Sequence, residues 1–158
     1  MSFEPRFSVG LYHHFGPTFV DLPSNDEIDA AFVSLDRVPD VTAVEFFANT
    51  TVTPQNVGHI RRRLDERGLE CSMLHHGEPY VRGVMTDAAL TSPTLPDRRT
   101  AIDMCLRAVE LARELDALGI YVFTPMDGAD YPFQQDFGAA RRYTIDALHE
   151  ICEAAGDL

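Results

Sequence analysis

The sequence contains no lysine and no tryptophan, and only three cysteines. Without lysine, all 13 basic residues are arginines, set against 25 acidic ones for a formal charge of −12. So acidic a surface repels phosphate backbones, which excludes nucleic acid as an expected partner. Cys71, Cys105 and Cys152 are far apart and odd in number, and match neither a zinc nor a redox spacing. Buried thiols in a cytoplasmic protein are the expectation. No apolar run approaches the roughly 18 residues of a membrane span, so no membrane contact is expected. The opening stretch, Met1 to Arg6, has no apolar h-region, and no signal peptide is expected. A glycine-rich phosphate loop is missing as well: Tyr12-His13-His14-Phe15-Gly16, after the first strand, is a poor candidate, which weakens a nucleotide-binding reading.

What is present is a globular composition, 45% hydrophobic and 24% charged over 158 residues, enough for one ordinary core and one domain spanning 1–158. Strand-length apolar stretches alternate with helical patterns. The strands are expected at Phe7 to Tyr12, Val41 to Phe47, Leu69 to His75 and Gly119 to Thr124. The first helix opens on a capping box, Ser24 with Glu27, and buries Ile28, Ala31, Phe32 and Leu35. The second opens at Thr53-Pro54, buries Val57, Ile60 and Leu64, and ends at Gly68. The third runs from about Asp97 to Leu115, with Ile102, Cys105, Val109 and Ala112 on one face. The fourth is capped by Asp136, buries Ala140, Tyr143, Ala147, Leu148 and Ile151, and ends at Gly156. A β-strand followed by a helix, four times over, implies a parallel sheet with helical crossovers. Two architectures fit: a small open doubly wound sheet, or part of a barrel. Long connections run from His76 to Pro96 and from Pro125 to Gln135, a length that points to function or disorder.

Active sites of parallel α/β folds gather at the C-terminal strand ends. Those ends are polar here: His13 and His14 after strand 1, Glu45 in strand 2, His75-His76-Gly77-Glu78 after strand 3, and Thr124, Asp127 and Asp130 after strand 4. Alternation assigns Phe7, Val9 and Leu11 to the helices and Ser8, Gly10, Tyr12 and His14 to the other face. His13 is then more suited to a loop contact. Val44 and Phe46 face the helices, which leaves Glu45 and Phe47 inside. A carboxylate within a strand is costly unless paired, so Glu45 is either a structural partner of a nearby arginine or histidine, or a substrate-facing group. Periodicity does not choose between His75 and His76. Imidazole and carboxylate suit Zn, Mn or Fe, but adjacent strand residues point apart, so substrate hydrogen bonds or loop structure compete with a metal there. Asp127 and Asp130 flank Gly128 as a turn would. His59 and His149 read as surface or packing residues, and the run Arg61-Arg62-Arg63 as a solvated helix face.

Leu90-Thr91-Ser92-Pro93, Asp97 to Asp103 and Ala108 to Leu115 together resemble the xylose isomerase-like TIM-barrel superfamily, as do Tyr121 to Pro125 and Asp127 to Gln134. Phe7 to Tyr12 is similar to that family's opening strand, and the resemblance covers most of the chain. It implies a (β/α)4 unit, the N-terminal half of a (β/α)8 barrel of the sugar isomerase and epimerase type, whose members also include family 2 AP endonucleases. It implies a divalent metal such as Mn or Mg in the intact enzyme, held mainly at the ends of strands 5 to 8, so that this chain, truncated or split, is expected to be inactive alone. It implies a sugar pocket at Tyr12, His75 and Thr124, which joins His14 and Glu45 from the strand pattern and favours His75 over His76. The sequence departs from true xylose isomerases at Phe47, where they carry a histidine, and at Thr124, where they carry tryptophan; a relative acting on another sugar or sugar derivative is implied. Self-association, or a missing C-terminal half, is the expected way to cover the inner face. A non-enzymatic carbohydrate-binding or assembly module is the competing reading.

Overall fold

The computed structural model describes residues 6–15, 22–76, 88–124 and 133–158. Within them lie four parallel strands in the order β1 (Phe7–Gly10), β2 (Val41–Phe47), β3 (Glu70–His75) and β4 (Ile120–Tyr121). Helices α1 (Asn25–Ser34), α2 (Val57–Arg67), α3 (Leu95–Leu115) and α4 (Phe137–Ala155) follow them in turn. Sequential order across a parallel sheet is the pattern of half a TIM barrel, not of a sheet wound in two directions. No described helix is long and apolar enough to cross a membrane.

The core lies between the sheet and its helices. Ile28, Ala31 and Phe32 of α1, Val57, Ile60 and Leu64 of α2, and Ala108, Leu111, Ala112 and Leu115 of α3 close over Val44, Phe46, Cys71 and Leu74. Each helix turns a 3.6-residue apolar stripe inward, as its sequence requires. The start of α1 is fixed by Ser24, whose hydroxyl accepts from the Glu27 N–H while the Glu27 carboxylate accepts from the Ser24 N–H at 2.8 Å. The α4 stripe is narrower than its sequence suggests: Ala140, Ala147 and Ile151 are buried, but Tyr143 is half-buried beneath the Arg98 guanidinium, 3.8 Å above its ring.

Three expected boundaries are corrected. β1 stops at Gly10 and the chain passes into a 3-10 turn, Leu11–Phe15, so strand parity does not extend to His14. β4 has two residues instead of six, Ile120–Tyr121. Helix α2 begins at Val57, not at Thr53-Pro54, because the Asn56 side chain accepts from the Thr53 N–H at 2.8 Å and donates to the Thr51 carbonyl at 2.9 Å. Those two bonds close a turn ahead of the helix. The loop expected from His76 to Pro96 is described at His76 and from Ala88 onward, where Ala88, Ala89, Leu90 and Ser92 are buried. Glu78, Asp127 and Asp130 lie outside the described residues.

Asp29 on α1 joins α1 to α2. It takes both Arg63 Nε and Nη2 at 2.6 Å and His59 Nε2 at 2.7 Å. His59 and Arg63 are thus tied to α1 rather than simply solvated. The Arg63 hydrogen bonds hold the Asp29 carboxyl down at about 2, against an upward push from desolvation and with further help from His59. An unfolded aspartate titrates near 3.9. A depressed carboxyl contributes stability above its unfolded value and loses it as pH falls through the folded one. Asp29→Asn should therefore lower the urea midpoint by a constant amount above about pH 5, and the gap should close between about pH 4 and pH 2. A gap that persists at pH 2 would show that the loss is steric, not electrostatic.

Candidate functional site

Parity on β2 puts Val44 and Phe46 among the helices, both fully buried, and leaves Glu45 and Phe47 on the opposite face. β3 does not keep simple alternation. Its pairing with β2 steps from Val44↔Cys71 to Glu45↔Met73, so Ser72 is one residue extra. Cys71 and Leu74 consequently both face the helices, three positions apart, and His75 emerges on the Glu45 face. Ser72 turns to the same face, its hydroxyl 2.6 Å from that of Ser8 on β1.

At the C-terminal ends of the strands these side chains converge. His75 Nε2 lies 3.2 Å from Glu45 Oε2. Around the His75 ring stand Tyr12 at 5.3 Å, Phe47 at 4.9 Å and Tyr121 at 4.8 Å between centroids, each edge-on or nearly so. Tyr12 also packs on Phe47 at 4.5 Å, and Tyr121 stacks on Phe123 at 5.9 Å and 17°. The result is a carboxylate–imidazole pair set among aromatic rings. Burial first, then the charge of Glu45, then Tyr121, raises the Tyr12 phenol, which remains a proton donor at neutral pH. Burial and then Glu45 push the Cys71 thiol up to about 12, so it stays a protonated, unreactive thiol.

Gly10 positions Tyr12. A methyl group at Gly10 would sit 2.7–2.9 Å from Cζ, Cε1 and the hydroxyl of the Tyr12 ring, which folds back over it. Contacts that short require the Tyr12 ring to move, and overpacking of this kind costs up to about 1–3 kcal/mol. Gly10→Ala should displace the Tyr12 ring and abolish its nuclear Overhauser contacts to Phe47 and His75, with the sheet intact. Unchanged contacts would refute the close approach.

Of the five side chains expected to bind substrate, the structure brings together Tyr12, Glu45 and His75. His14 is exposed in the 3-10 turn, its ring edge-on to Phe15 at 5.7 Å, and among the described residues it does not meet the other three. Thr124 is exposed three residues past the end of β4, and stands apart from them in the same way. Tyr121 on β4 joins the cluster, paired in register with His75. It was detectable in principle, because a strand that ends at Tyr121 presents that ring beside the last residue of β3. His76 is buried and has a knitting role: its Nδ1 accepts from the Phe123 N–H at 3.2 Å, and its carbonyl accepts from Asn49 at 2.7 Å.

Glu45 and His75 are two metal-type donors already bonded to each other. Among the described residues no third His, Cys, Asp or Glu joins them in a group able to hold a metal ion. The pair suits hydrogen bonding to hydroxyl groups.

No protein-family model matches the sequence. Solved structures do match the fold. D-allulose 3-epimerase from Methylomonas sp. superposes with a TM-score of 0.65 at 17% identity, over 99% of this chain and 50% of that one. 3-Keto-D-glucoside 4-epimerase from E. coli superposes with a TM-score of 0.64 at 17% identity, over 87% of this chain and 50% of that one. A family 2 AP endonuclease from Brucella melitensis gives 0.61 at 17% identity, over 95% and 50%. The chain thus spans about half the length of these proteins, and its fold is that of half a TIM barrel.

Proposed function

We propose that this chain forms the sugar-facing half of an isomerase- or epimerase-type barrel acting on a sugar or sugar derivative. The observation that carries the reading is the convergence of Tyr12, Glu45 and His75 at the C-terminal ends of three adjacent parallel strands. That is where barrels of this kind do their chemistry. Glu45 accepts from sugar hydroxyls, the Tyr12 phenol donates to a sugar oxygen, and the exposed Tyr121 and Phe123 offer ring faces to the C–H side of the substrate. His75, 3.2 Å from Glu45, fixes the carboxylate's orientation. A divalent metal such as Mn or Mg, supplied with its ligands by a complementary half, would polarise substrate oxygens. Either that half or a second copy of this chain covers the inner face.

The epimerases with this fold support a sugar reading over a nucleic-acid one, and the charge of −12 argues against the DNA-directed role named for the Brucella protein. The test is a titration of the full chain with free ketoses and aldoses, followed by NMR. Selective shifts of Tyr12 and His75 signals, lost in His75→Ala, are expected, with no turnover when Mn or Mg is added. Shifts elsewhere, or none, would refute the site. Chelator-sensitive turnover by the chain alone would show that it carries a complete metal site.

A further inference from the structure

The two ends of the sheet are different surfaces, and both are open among the described residues. β1 pairs only with β2, and β4 only with β3, so the outer edge of each leaves backbone N–H and C=O groups without a strand partner. At the β1 end Phe7 is 53% exposed, and the exposed first turn of α1 carries Asp26 and Glu27. At the β4 end Tyr121, Phe123 and Phe137 are exposed, the last by 54%. α4 meets α3 through Tyr143 and Glu150, which Arg98 and Arg99 contact. Another flank of α4 lines an apolar groove with Phe137, Ala140, Arg141, Thr144 and Ile145. Arg141 and its neighbour Arg142 are exposed, and among the described residues neither they nor Asp26 enter an ion pair.

A chain of formal charge −12 thus keeps unpaired cations at one end of its sheet and acids at the other, with exposed aromatic rings at both. Two unlike, complementary surfaces make a head-to-tail contact. Such contacts close into a ring or grow into a filament according to the rotation between copies. Here curvature fixes the rotation. The fold superposes over 99% of its length on 50% of the Methylomonas epimerase, as half of an eight-stranded barrel, so a half turn about the barrel axis brings the sheet back to its start. We infer that a second copy of this chain closes the barrel, with β4 and α4 of each copy against β1 and α1 of the other. Both helices start at the C-terminal strand ends, so Arg141 in the second turn of α4 meets the acids in the first turn of α1 at nearly the same level. Phe137 is covered at that end of the seam and Phe7 at the other. The two Tyr12–Glu45–His75 groups then share one barrel mouth. The inference is independent of what that mouth binds.

Sedimentation velocity of the full chain over a dilution series tests this. A particle of twice 17.6 kDa is expected, with no larger series. Phe137→Glu should raise the dissociation constant by about tenfold or more, because it puts a charge where the seam buries a ring. Arg141→Glu and Asp26→Arg should each weaken the dimer by about tenfold, since each sets like charges together at both seams. Mixed in equal amounts, these two variants should regain the dimer, because one seam then carries the reversed pair and the other the original pair. A contact between two copies of the same helix gives no such recovery. A monomer throughout the series overturns the inference, and a ladder of larger species overturns closure. A dimer that neither charge reversal weakens, or that mixing does not restore, overturns the head-to-tail arrangement. The charge pair decides this even if Phe137→Glu does not fold.

Discussion

Replacing Phe46 with alanine is expected to lower the unfolding free energy by about 3–5 kcal/mol, the usual cost of emptying a fully buried aromatic site. Phe46 stands on β2, between β1 and β3, with no accessible surface. Its ring lies 6.1 Å from that of Phe32 on α1, tilted by 47°, and the Arg67 guanidinium covers Phe32 from α2 at 6.0 Å. One side chain therefore holds a strand and a helix in contact, and the helix after it closes the stack. A domain of ordinary stability has about 5–15 kcal/mol to lose, so the variant should give up a large share of its margin. Val33→Ala is the internal control: Val33 is on the same helix as Phe32 but 56% exposed, and its loss should stay within about 0.5 kcal/mol. Urea denaturation of both variants measures the difference. A Phe46→Ala loss below about 1 kcal/mol would mean that sheet and helices are not packed as described.

Asn49→Ala should be the second most damaging change, at about 2–4 kcal/mol, from lost hydrogen bonds plus backbone strain. Asn49 follows β2 with φ at 63°, in the left-handed region that asparagine tolerates and alanine does not. Its side-chain amide donates to the His76 carbonyl at 2.7 Å and to the Met104 carbonyl at 3.2 Å, so it binds the end of β3 and the middle of α3 to the β2 loop. Asn49→Gly separates the two contributions. Glycine relieves the backbone but not the lost bonds, and should recover about 1 kcal/mol of the loss. Equal stability of the two variants would show that backbone conformation contributes nothing here. Because the bonded carbonyl belongs to His76, next to His75, both variants should also broaden the His75 ring signals.

The parts of the fold that were legible in the sequence are those governed by local pattern. The stripe Ile28, Ala31, Phe32, Leu35 is buried as its spacing requires, the Ser24–Glu27 box caps α1, and β2 runs from Val41 to Phe47 as its apolar pattern predicts. Alternation on β2 also placed Glu45 and Phe47 on the inner face. What local pattern could not show was where pairing ends and where it slips. Strand chemistry continues past Gly10 through Leu11 and Tyr12, yet the backbone coils there into a 3-10 turn, and strand parity no longer governs His14. Val122 and Phe123 read as strand, yet β4 pairs with β3 only at Ile120 and Tyr121. The extra residue Ser72 made parity on β3 unreadable, because no periodic rule holds across an insertion that exists only relative to a neighbouring strand. The choice of His75 over His76 came from family likeness, and the structure sets His75 against Glu45.

The brevity of β4 has a consequence for the order in which the sheet comes apart. Two residue pairs hold β4 to β3, whereas five hold β3 to β2. Local opening takes place where few backbone bonds and few buried contacts must be given up together. Amide exchange should therefore be graded across the sheet. The amides of His76 and Leu74, which donate to Tyr121 and Gly119 at 3.1 Å, should exchange by a low-energy excursion that releases the β4 edge alone. The amides buried along β2 should exchange only when the whole domain unfolds. Tyr121 belongs to that edge, so one wall of the candidate site sits on the most readily released part of the sheet while Glu45 sits on the least. A ligand that bridges the two would slow exchange at the edge far more than at the centre, which makes β4 protection a reporter of occupancy that needs no turnover.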